Sequence, residues 1–238
     1  MDSLDFTKAP SSFQSVKWIS DALLLTMAGG WLTSYIATIR TAHGDNACWV
    51  PLLPVSCNLA WELVYATIYP PPRLPIVTAW FALNLVVVYT ALKYAPDGDA
   101  RGYSPLRGCR LYLAFVAATA LWAAGHVALA RVLGPLTAFY YGGLACQLMT
   151  SAAALCGLLD SGSSRGASWL IWSSRVIGTG SALAGVFFRA YYWPEVWAWT
   201  MNPLFYWAAA AFAVFDGAYG VCFWLVRRAE GRAGVKKE

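Results

Sequence analysis

Four ionisable side chains lie inside long apolar stretches of the sequence: Glu62, His126, Arg175 and Asp216. Glu62 stands in "NLAWELVYATIYPPP", an aromatic segment that ends in three prolines. A carboxyl group removed from water is unfavourable unless it is paired or takes up a proton. Ionisable residues at membrane depth usually face a cavity or each other and mark functional sites. These four residues are therefore the first candidates for chemistry.

Each of the two carboxyl groups belongs to a ladder of polar and aromatic side chains at helical spacing. Residues at i, i+4, i+7 and i+11 share one face of a helix, so each ladder predicts one chemical surface. The first ladder contains Asn58, Glu62, Tyr65 and Tyr69, with Trp61 beside the glutamate, and the second contains Phe212, Asp216, Tyr219 and Phe223. We predict that Glu62 and Asp216 are catalytic and that the other ladder residues bind substrate.

Further polar groups in apolar segments complete the candidate site. Asn84, Trp122 and Arg175 are predicted to contact substrate, and amides such as Asn84 commonly bond neighbouring membrane helices. Arg175 is expected either to be the counter-ion of the carboxylates or to extend to the membrane interface. His126 shares a face with Phe115 and Trp122 and is expected to be a hydrogen-bonded core residue.

The composition identifies the elements that must hold these residues. Hydrophobic residues make up 59% of the 238 residues, charged residues 12%, and the mean hydropathy is +0.51. Soluble domains carry about 25% charged residues, so this is a membrane protein. The sequence predicts an all-α fold, a polytopic seven-transmembrane-helix bundle in a single domain over residues 1–238. The predicted helices lie near 19–39, 49–69, 75–93, 111–130, 136–159, 168–188 and 204–226.

The basic residues predict the orientation in the membrane. Eleven lie in the joints after helices 1, 3 and 5 and in the C-terminal tail, whereas five lie on the other side. Lys and Arg near helix ends favour the cytoplasmic side. We therefore expect an integral membrane protein of the endoplasmic reticulum with a cytoplasmic C-terminus and a lumenal N-terminus. A basic tail beside anionic lipid accounts for the net charge of +5, and no nucleic-acid partner is expected.

Cysteine and histidine patterns give no indication of a metal. The six cysteines are scattered and form no C-x-x-C pair, and the two histidines, His43 and His126, are far apart. A zinc or di-iron site would lack its usual ligands. The sequence predicts no metal and no cofactor.

Buried acids among aromatic rings suit carbocation chemistry. A neutral carboxylic acid can donate a proton, the ring faces stabilise a moving cation, and the exclusion of water prevents its early capture. The chain lacks D-D-x-x-D, which binds magnesium for diphosphate ionisation, and D-x-D-D, the acid motif of soluble cyclases. A proton-initiated cyclisation without a diphosphate leaving group is the chemistry that remains.

Three features together resemble a known family: "WELVYA" in helix 2, "WSSRVIG" in helix 6 and the lone aspartate in helix 7. They are similar to those of the fungal integral-membrane terpene cyclases of meroterpenoid and indole-diterpene biosynthesis. The resemblance implies a substrate in which an epoxidised farnesyl or geranylgeranyl chain carries a polyketide, phenolic or indole head. It also implies that the terminal epoxide is protonated, with Glu62 and Asp216 matching the family's essential acids. The expected partners are this small molecule and the lipid bilayer, with no obligate protein partner.

A proton-coupled transporter is the alternative, because buried acids also relay protons. A retinal protein is disfavoured, since helix 7 has no lysine, and no inverted repeat supports a transporter. For the cyclase we expect both acids in one pocket of roughly 300 Å³ or more between helices 2 and 7. The predicted boundaries put Glu62 about 10 Å and Asp216 about 20 Å from the lumenal surface. Asp216 is therefore expected to protonate the epoxide, with Glu62 either assisting protonation or guiding termination.

Overall fold

The computed structural model describes residues 6–71, 74–94 and 109–235. Within these ranges the chain forms eight α-helices and no strand, with single 3₁₀ turns at Phe6–Lys8 and Ala198–Thr200. The all-α prediction is confirmed. The helices are α1 Ser11–Asp45, α2 Leu52–Thr67, α3 Leu74–Lys93, α4 Cys109–Leu133, α5 Pro135–Ser161, α6 Trp169–Tyr192, α7 Pro194–Trp197 and α8 Pro203–Val235.

Six of these helices, α1, α3, α4, α5, α6 and α8, are long and apolar enough to cross a membrane. Large apolar side chains point outward along them, for example Leu25, Leu121 and Ile177. Such surfaces are stable against lipid tails, so the prediction of an integral membrane protein is confirmed. The prediction of seven spanning helices is matched only in part, because α2 is shorter than a usual span and α7 is a short additional helix.

Helix ends differ from the predicted boundaries because hydropathy marks the apolar part of a helix and not its ends. α1 has 35 residues and extends beyond the predicted 19–39 in both directions. The turns added at its two ends are polar, so a hydropathy pattern does not include them. The loop after predicted helix 3 lies largely outside the described residues. Several basic residues used for the predicted orientation lie there or in other undescribed parts, namely Arg73, Arg101, Arg107, Lys236 and Lys237.

α2 is the central helix and is buried over most of its 16 residues. Pro51 precedes its first residue and Pro54 lies in its first turn, where the missing N–H has no helical partner to lose. Pro70 and Pro71 follow its end and prevent the helix from continuing. At 1.5 Å per residue α2 is about 24 Å long, shorter than a hydrocarbon core of about 30 Å.

α1 and α6 pack closely and run antiparallel. Two hydrogen bonds fix this register. Ser34 bonds Ile171 near one end of the pair, and Arg189 bonds Ser20 near the other end. The helices approach most closely at Gly30, where an added Cβ would lie 2.7 Å from the carbonyl oxygen of Ser174. Small residues at such crossings allow membrane helices to bring their backbones together.

α8 packs along α5 in the parallel direction. The ring centroids of Tyr141 and Phe205 are 6.1 Å apart, and ten residues further along α5 Ser151 bonds Asp216. The start of α1 packs against the end of the bundle where α6 ends. There Phe13 contacts Trp193, and both belong to one buried cluster with Trp197. Asp216 is therefore held among α5, α6 and α8, whereas Glu62 is held between α1 and α2.

Candidate active site

A cavity of about 230 Å³ lies inside the bundle, beside the middle of α2, where Asn58, Trp61 and Glu62 line it. Its walls are mostly apolar and aromatic. Apart from the tryptophans, eight of the side chains that line it carry polar groups: Tyr35, Asn58, Glu62, Tyr140, Gln147, Thr179, Ser181 and Arg189. The volume is below the expected 300 Å³, and the indole rings of Trp31, Trp61 and Trp80 are among its walls.

Glu62 lines this cavity and is almost fully buried, with 1% of its surface exposed. Its carboxyl group accepts three hydrogen bonds. The Tyr35 hydroxyl and the Asn58 amide donate to Oε1 at 2.8 and 3.1 Å, and the Asn84 amide donates to Oε2 at 2.8 Å. Among the described residues no cationic side chain pairs with it. Three neutral donors therefore hold a single carboxyl group at the cavity wall.

A second bond of the Asn58 amide fixes the arrangement around Glu62. This amide also donates to the Tyr35 hydroxyl at 2.8 Å, so Tyr35, Asn58 and Glu62 form a closed triangle. Asn58 and Glu62 are one turn apart on α2, as the sequence spacing predicted, whereas Tyr35 comes from α1. Asn84, predicted to contact substrate, is fully buried on α3 and acts on Glu62.

The Trp61 ring forms one wall of the cavity and is held in a defined position. Its Nε1 donates to the carbonyl oxygen of Phe139 at 2.9 Å, and the two ring centroids are 4.7 Å apart. On α5, Gly142 leaves room for this ring, because a Cβ there would lie 2.9 Å from Trp61 Cδ1. The predicted role of Trp61 at the site is consistent with this placement.

Asp216 lies in a different environment from Glu62. It is 2% exposed, pairs with Arg175 through Nη2, and accepts a hydrogen bond from Ser151 Oγ at 2.5 Å. The rings of Trp49 and Tyr219 cover the Arg175 guanidinium, with centroids 5.0 and 5.5 Å from Cζ. Of the two roles expected for Arg175, the structure selects the counter-ion, and Asp216 is its partner.

Asp216 is not among the residues that line the cavity. The prediction of one pocket shared by both acids is therefore wrong for this cavity. A short chain of hydrogen bonds connects the two regions: Gln147 lines the cavity and donates to Ser151 at 3.0 Å, and Ser151 donates to Asp216. The ion pair thus lies directly behind the cavity wall.

The predicted difference in depth between the two acids stays a prediction. Tyr35, which bonds Glu62, follows Ser34, whose hydroxyl donates to the carbonyl oxygen of Ile171 at 3.4 Å. Arg175 lies one turn beyond Ile171 on α6. The side chains that hold the two acids thus come from neighbouring turns of the packed helices α1 and α6.

The other predicted substrate-binding residues are packed in the core around the site. None of them is among the residues that line the cavity, and the Tyr65 hydroxyl is buried without a partner among the described residues. Tyr65 packs between Trp61 and Tyr69, while Tyr219 stacks on Phe223. The predicted residues outside the cavity lining are Tyr65, Tyr69, Asn84, Trp122, Arg175, Phe212, Tyr219 and Phe223.

His126 is buried, as predicted for a core residue, but its surroundings were not foreseen. Its Nε2 lies 3.7 Å from Cys57 Sγ, which lies 3.6 Å from Cys146 Sγ. These three ligand atoms lie within 4.8 Å of one another, although they come from three helices. A structural zinc site usually has four protein ligands, and the described residues supply no fourth one here.

Tyr35 and Arg189 are the main cavity residues that the sequence did not indicate. A tyrosine in an apolar helix is common in membrane proteins, so Tyr35 gave no signal by itself. Arg189 lies near the end of α6 and was counted among the basic residues of a flank. The predicted sixth helix ended at residue 188, one residue before Arg189, whereas α6 continues to Tyr192. A longer predicted span would have marked Arg189 as an arginine at membrane depth.

Comparisons with known proteins agree with this architecture. Residues 4–229 match the family model of the Pyr4-like transmembrane terpene cyclases, and the chain belongs to this family. The cyclase prediction is thus confirmed at the level of the class, and the transporter alternative is not favoured.

Individual relatives extend over nearly the whole chain. Terpene cyclase olcD of Penicillium canescens is 60% identical over 235 residues, which cover 99% of this chain and 97% of the relative. Terpene cyclase cle7 of Aspergillus versicolor is 41% identical, with 96% of each chain covered. Terpene cyclase atmB of Aspergillus flavus is 36% identical, with 98% and 97% covered.

Proposed function

We propose that the protein cyclises an epoxidised farnesyl or geranylgeranyl chain attached to a head group, and that Glu62 protonates the terminal epoxide. The observation that carries this proposal is the position of Glu62. Of the residues that line the described cavity, it alone has a carboxyl group. A group that protonates substrate must lie within hydrogen-bond reach of it.

The proposed reaction begins when the Glu62 proton moves to the epoxide oxygen. The bond from that oxygen to the more substituted carbon breaks, the oxygen becomes a hydroxyl group, and a carbocation forms on the carbon. Successive double bonds attack the cation and close the rings, and loss of a proton at the end gives an isomer of the substrate. The rings of Trp31, Trp61, Trp80 and Phe139 present π faces that stabilise the cation.

The polar groups around Glu62 support the acid in both of its states. The donors Tyr35, Asn58 and Asn84 stabilise the carboxylate that remains after the proton has left. Asn84 Oδ1 is buried without a partner among the described residues. A rotation of the Asn84 side-chain amide by about 180° would bring this oxygen to the protonated Glu62, from which it can accept a hydrogen bond. The Asn84 amide can therefore donate to the Glu62 carboxylate through its nitrogen and accept from the protonated Glu62 through its oxygen.

In this proposal Asp216 positions the cavity wall and does not deliver the proton, which reverses the expectation from the sequence. Its carboxylate is paired with Arg175, and it reaches the cavity only through Ser151 and Gln147. A carboxylate in an ion pair holds no acidic proton. The pair instead fixes the side chain of Gln147 at the cavity.

We also infer that α2 is a seventh crossing, which puts the N-terminus in the lumen of the endoplasmic reticulum and the C-terminus in the cytoplasm. The antiparallel register of α1 and α6 supports this topology. If α2 did not cross and each other long helix crossed once, α6 would run parallel to α1. The bias of basic residues toward one side supports the orientation.

A pair of substrates tests the proposal. Membranes that contain the protein are incubated with an epoxyfarnesyl compound carrying a phenolic head, and with the same compound before epoxidation. We expect the epoxide to give a product of identical mass with fewer double bonds, and the alkene to remain unchanged. Equal conversion of both compounds, or formation of a diol alone, would refute the proposal. Membranes without the protein are the control.

A further inference from the structure

Arg189 is a buried arginine that lines the same cavity, with 8% of its surface exposed. Its Nε donates to Ser20 Oγ at 2.9 Å and its Nη1 donates to the Tyr140 hydroxyl at 3.1 Å. The ring of Trp197 covers one face of the guanidinium, with its centroid 5.1 Å from Cζ. These contacts from three other parts of the chain hold the guanidinium in one orientation.

The charge of Arg189 has no anionic partner in the part of the chain that the structure describes. No carboxylate among the described residues is within ion-pairing distance, in contrast to Arg175. Its remaining nitrogen, Nη2, donates to none of the described residues. A buried cation is unfavourable unless it is paired, so this position calls for an acceptor that enters from the cavity.

Arg189 and Glu62 are far apart within the cavity. Ser20, which bonds Arg189, and Tyr35, which bonds Glu62, are fifteen residues apart on α1. At 1.5 Å per residue their Cα atoms are about 22 Å apart along the helix axis. Both side chains line the same cavity, so one elongated ligand can contact Glu62 with one end and Arg189 with the other.

We propose that Arg189 binds an acidic oxygen of the substrate head group, an enol or phenol oxygen of a polyketide type. This inference rests on the proposed function, in which the epoxide end of the substrate lies at Glu62. Guanidinium has only donors and forms its strongest hydrogen bonds with anionic oxygen. An indole head offers an N–H donor and no such acceptor. Nη2 of Arg189 thus favours a polyketide or phenolic head over an indole head, which are the alternatives that the resemblance left open.

Three epoxyfarnesyl substrates with different heads test this inference on the full-length protein in detergent or membranes. One carries the enol of a 1,3-dicarbonyl ring, the second carries the methyl ether of that enol, and the third carries an indole. For the wild-type protein we expect KM to be about 10- to 100-fold lower for the enol than for the other two, because a charge-assisted hydrogen bond is lost in each of them. The value of kcat should change much less than KM.

Variants of Arg189 supply the decisive comparison. Arg189→Gln should raise KM for the enol toward that of the methyl ether and change KM for the methyl ether much less, and the unfolding temperature in detergent shows whether the variant is folded. Arg189→Lys keeps the charge but loses the planar fork, so an intermediate preference is expected. Arg189→Lys replaces Arg189→Gln in this comparison if the glutamine variant does not accumulate in the membrane. The matched control is Arg131→Gln, since Arg131 is exposed at the end of α4 and does not line the cavity.

The possible failures are distinguishable. If the wild-type protein converts no epoxide, the proposed function itself is refuted. If it converts all three substrates with equal KM, or if the preference survives in Arg189→Gln, only the inference about Arg189 is overturned, and the residue is an interfacial anchor. If anionic phospholipid added to neutral micelles competes equally with all three substrates, and this competition is lost in Arg189→Gln, the bound oxygen is a lipid phosphate. That result also overturns the inference.

Discussion

Replacing Asp216 by asparagine removes the charge that balances Arg175 and keeps the shape of the side chain. Arg175 is 1% exposed, and its Nε and Nη1 have no hydrogen-bond partner among the described residues. Only the rings of Trp49 and Tyr219 would then remain near its charge. Removal of one partner from a buried ion pair costs about 3–5 kcal/mol. At 1.36 kcal/mol for each factor of ten, the ratio of folded to unfolded protein should fall by about 10²–10⁴.

Thermal unfolding of the purified protein in detergent measures this loss, with size-exclusion chromatography as a check on the folded fraction. The double variant Arg175→Met with Asp216→Asn removes the unpaired cation, while Ser151 can still donate to the asparagine oxygen. We expect the double variant to recover most of the stability and to retain measurable cyclisation. If Asp216→Asn alone is as stable as wild type, the ion pair contributes nothing. If the stable double variant is completely inactive, Asp216 has a catalytic role that our proposal denies.

Three further predictions follow from named contacts. Gly30→Ala should destabilise the protein by about 1–3 kcal/mol, since its Cβ would meet Ser174 at 2.7 Å. Gly29→Ala, which has nothing within 4 Å of its Cβ, should not destabilise, and equal losses in thermal unfolding would contradict the close helix crossing. Tyr35→Phe removes a donor to Glu62 and should lower kcat about 10- to 100-fold, more than it changes KM; unchanged kcat would remove Tyr35 from the site. Turnover should survive EDTA, because a proton-initiated cyclisation has no metal-dependent step; loss on chelation with recovery on added magnesium would contradict this.

The sequence was sufficient to find the unusual residues but not to pair them. Glu62 and Asp216 stood out because a carboxyl group in an apolar helix is costly, and both are buried and fully hydrogen-bonded or paired. Which of the two acids forms the ion pair with Arg175 depends on the register of α6 against α8. That register is fixed by packing, at contacts such as Trp172 with the backbone of Asp216. No periodicity within a single helix contains this information.

The length of α2 is the second feature that the sequence pattern obscured. The apolar stretch continues to Tyr69, so hydropathy predicted a full span, whereas the helix ends at Thr67 before Pro70 and Pro71. Asn58, Trp61 and Glu62 in the middle of this short helix line the cavity. The expected order of the two acids is reversed in our proposal because Glu62 lines the cavity, whereas Asp216 is paired with Arg175 and does not. The glutamine variant of Glu62 bears directly on this revised order.

The most direct test of the central claim compares single-turnover rates of wild-type protein and Glu62→Gln with an epoxyfarnesyl substrate that the wild type converts. Glutamine keeps the shape, Tyr35 and Asn58 can still donate to its oxygen, and a rotated Asn84 amide can accept from its nitrogen. The fold should therefore be retained, as unfolding temperatures would verify. We predict that the rate of epoxide opening falls about 10²- to 10⁴-fold, the usual contribution of a general acid. A folded Glu62→Gln variant that opens the epoxide at nearly the wild-type rate would contradict the claim.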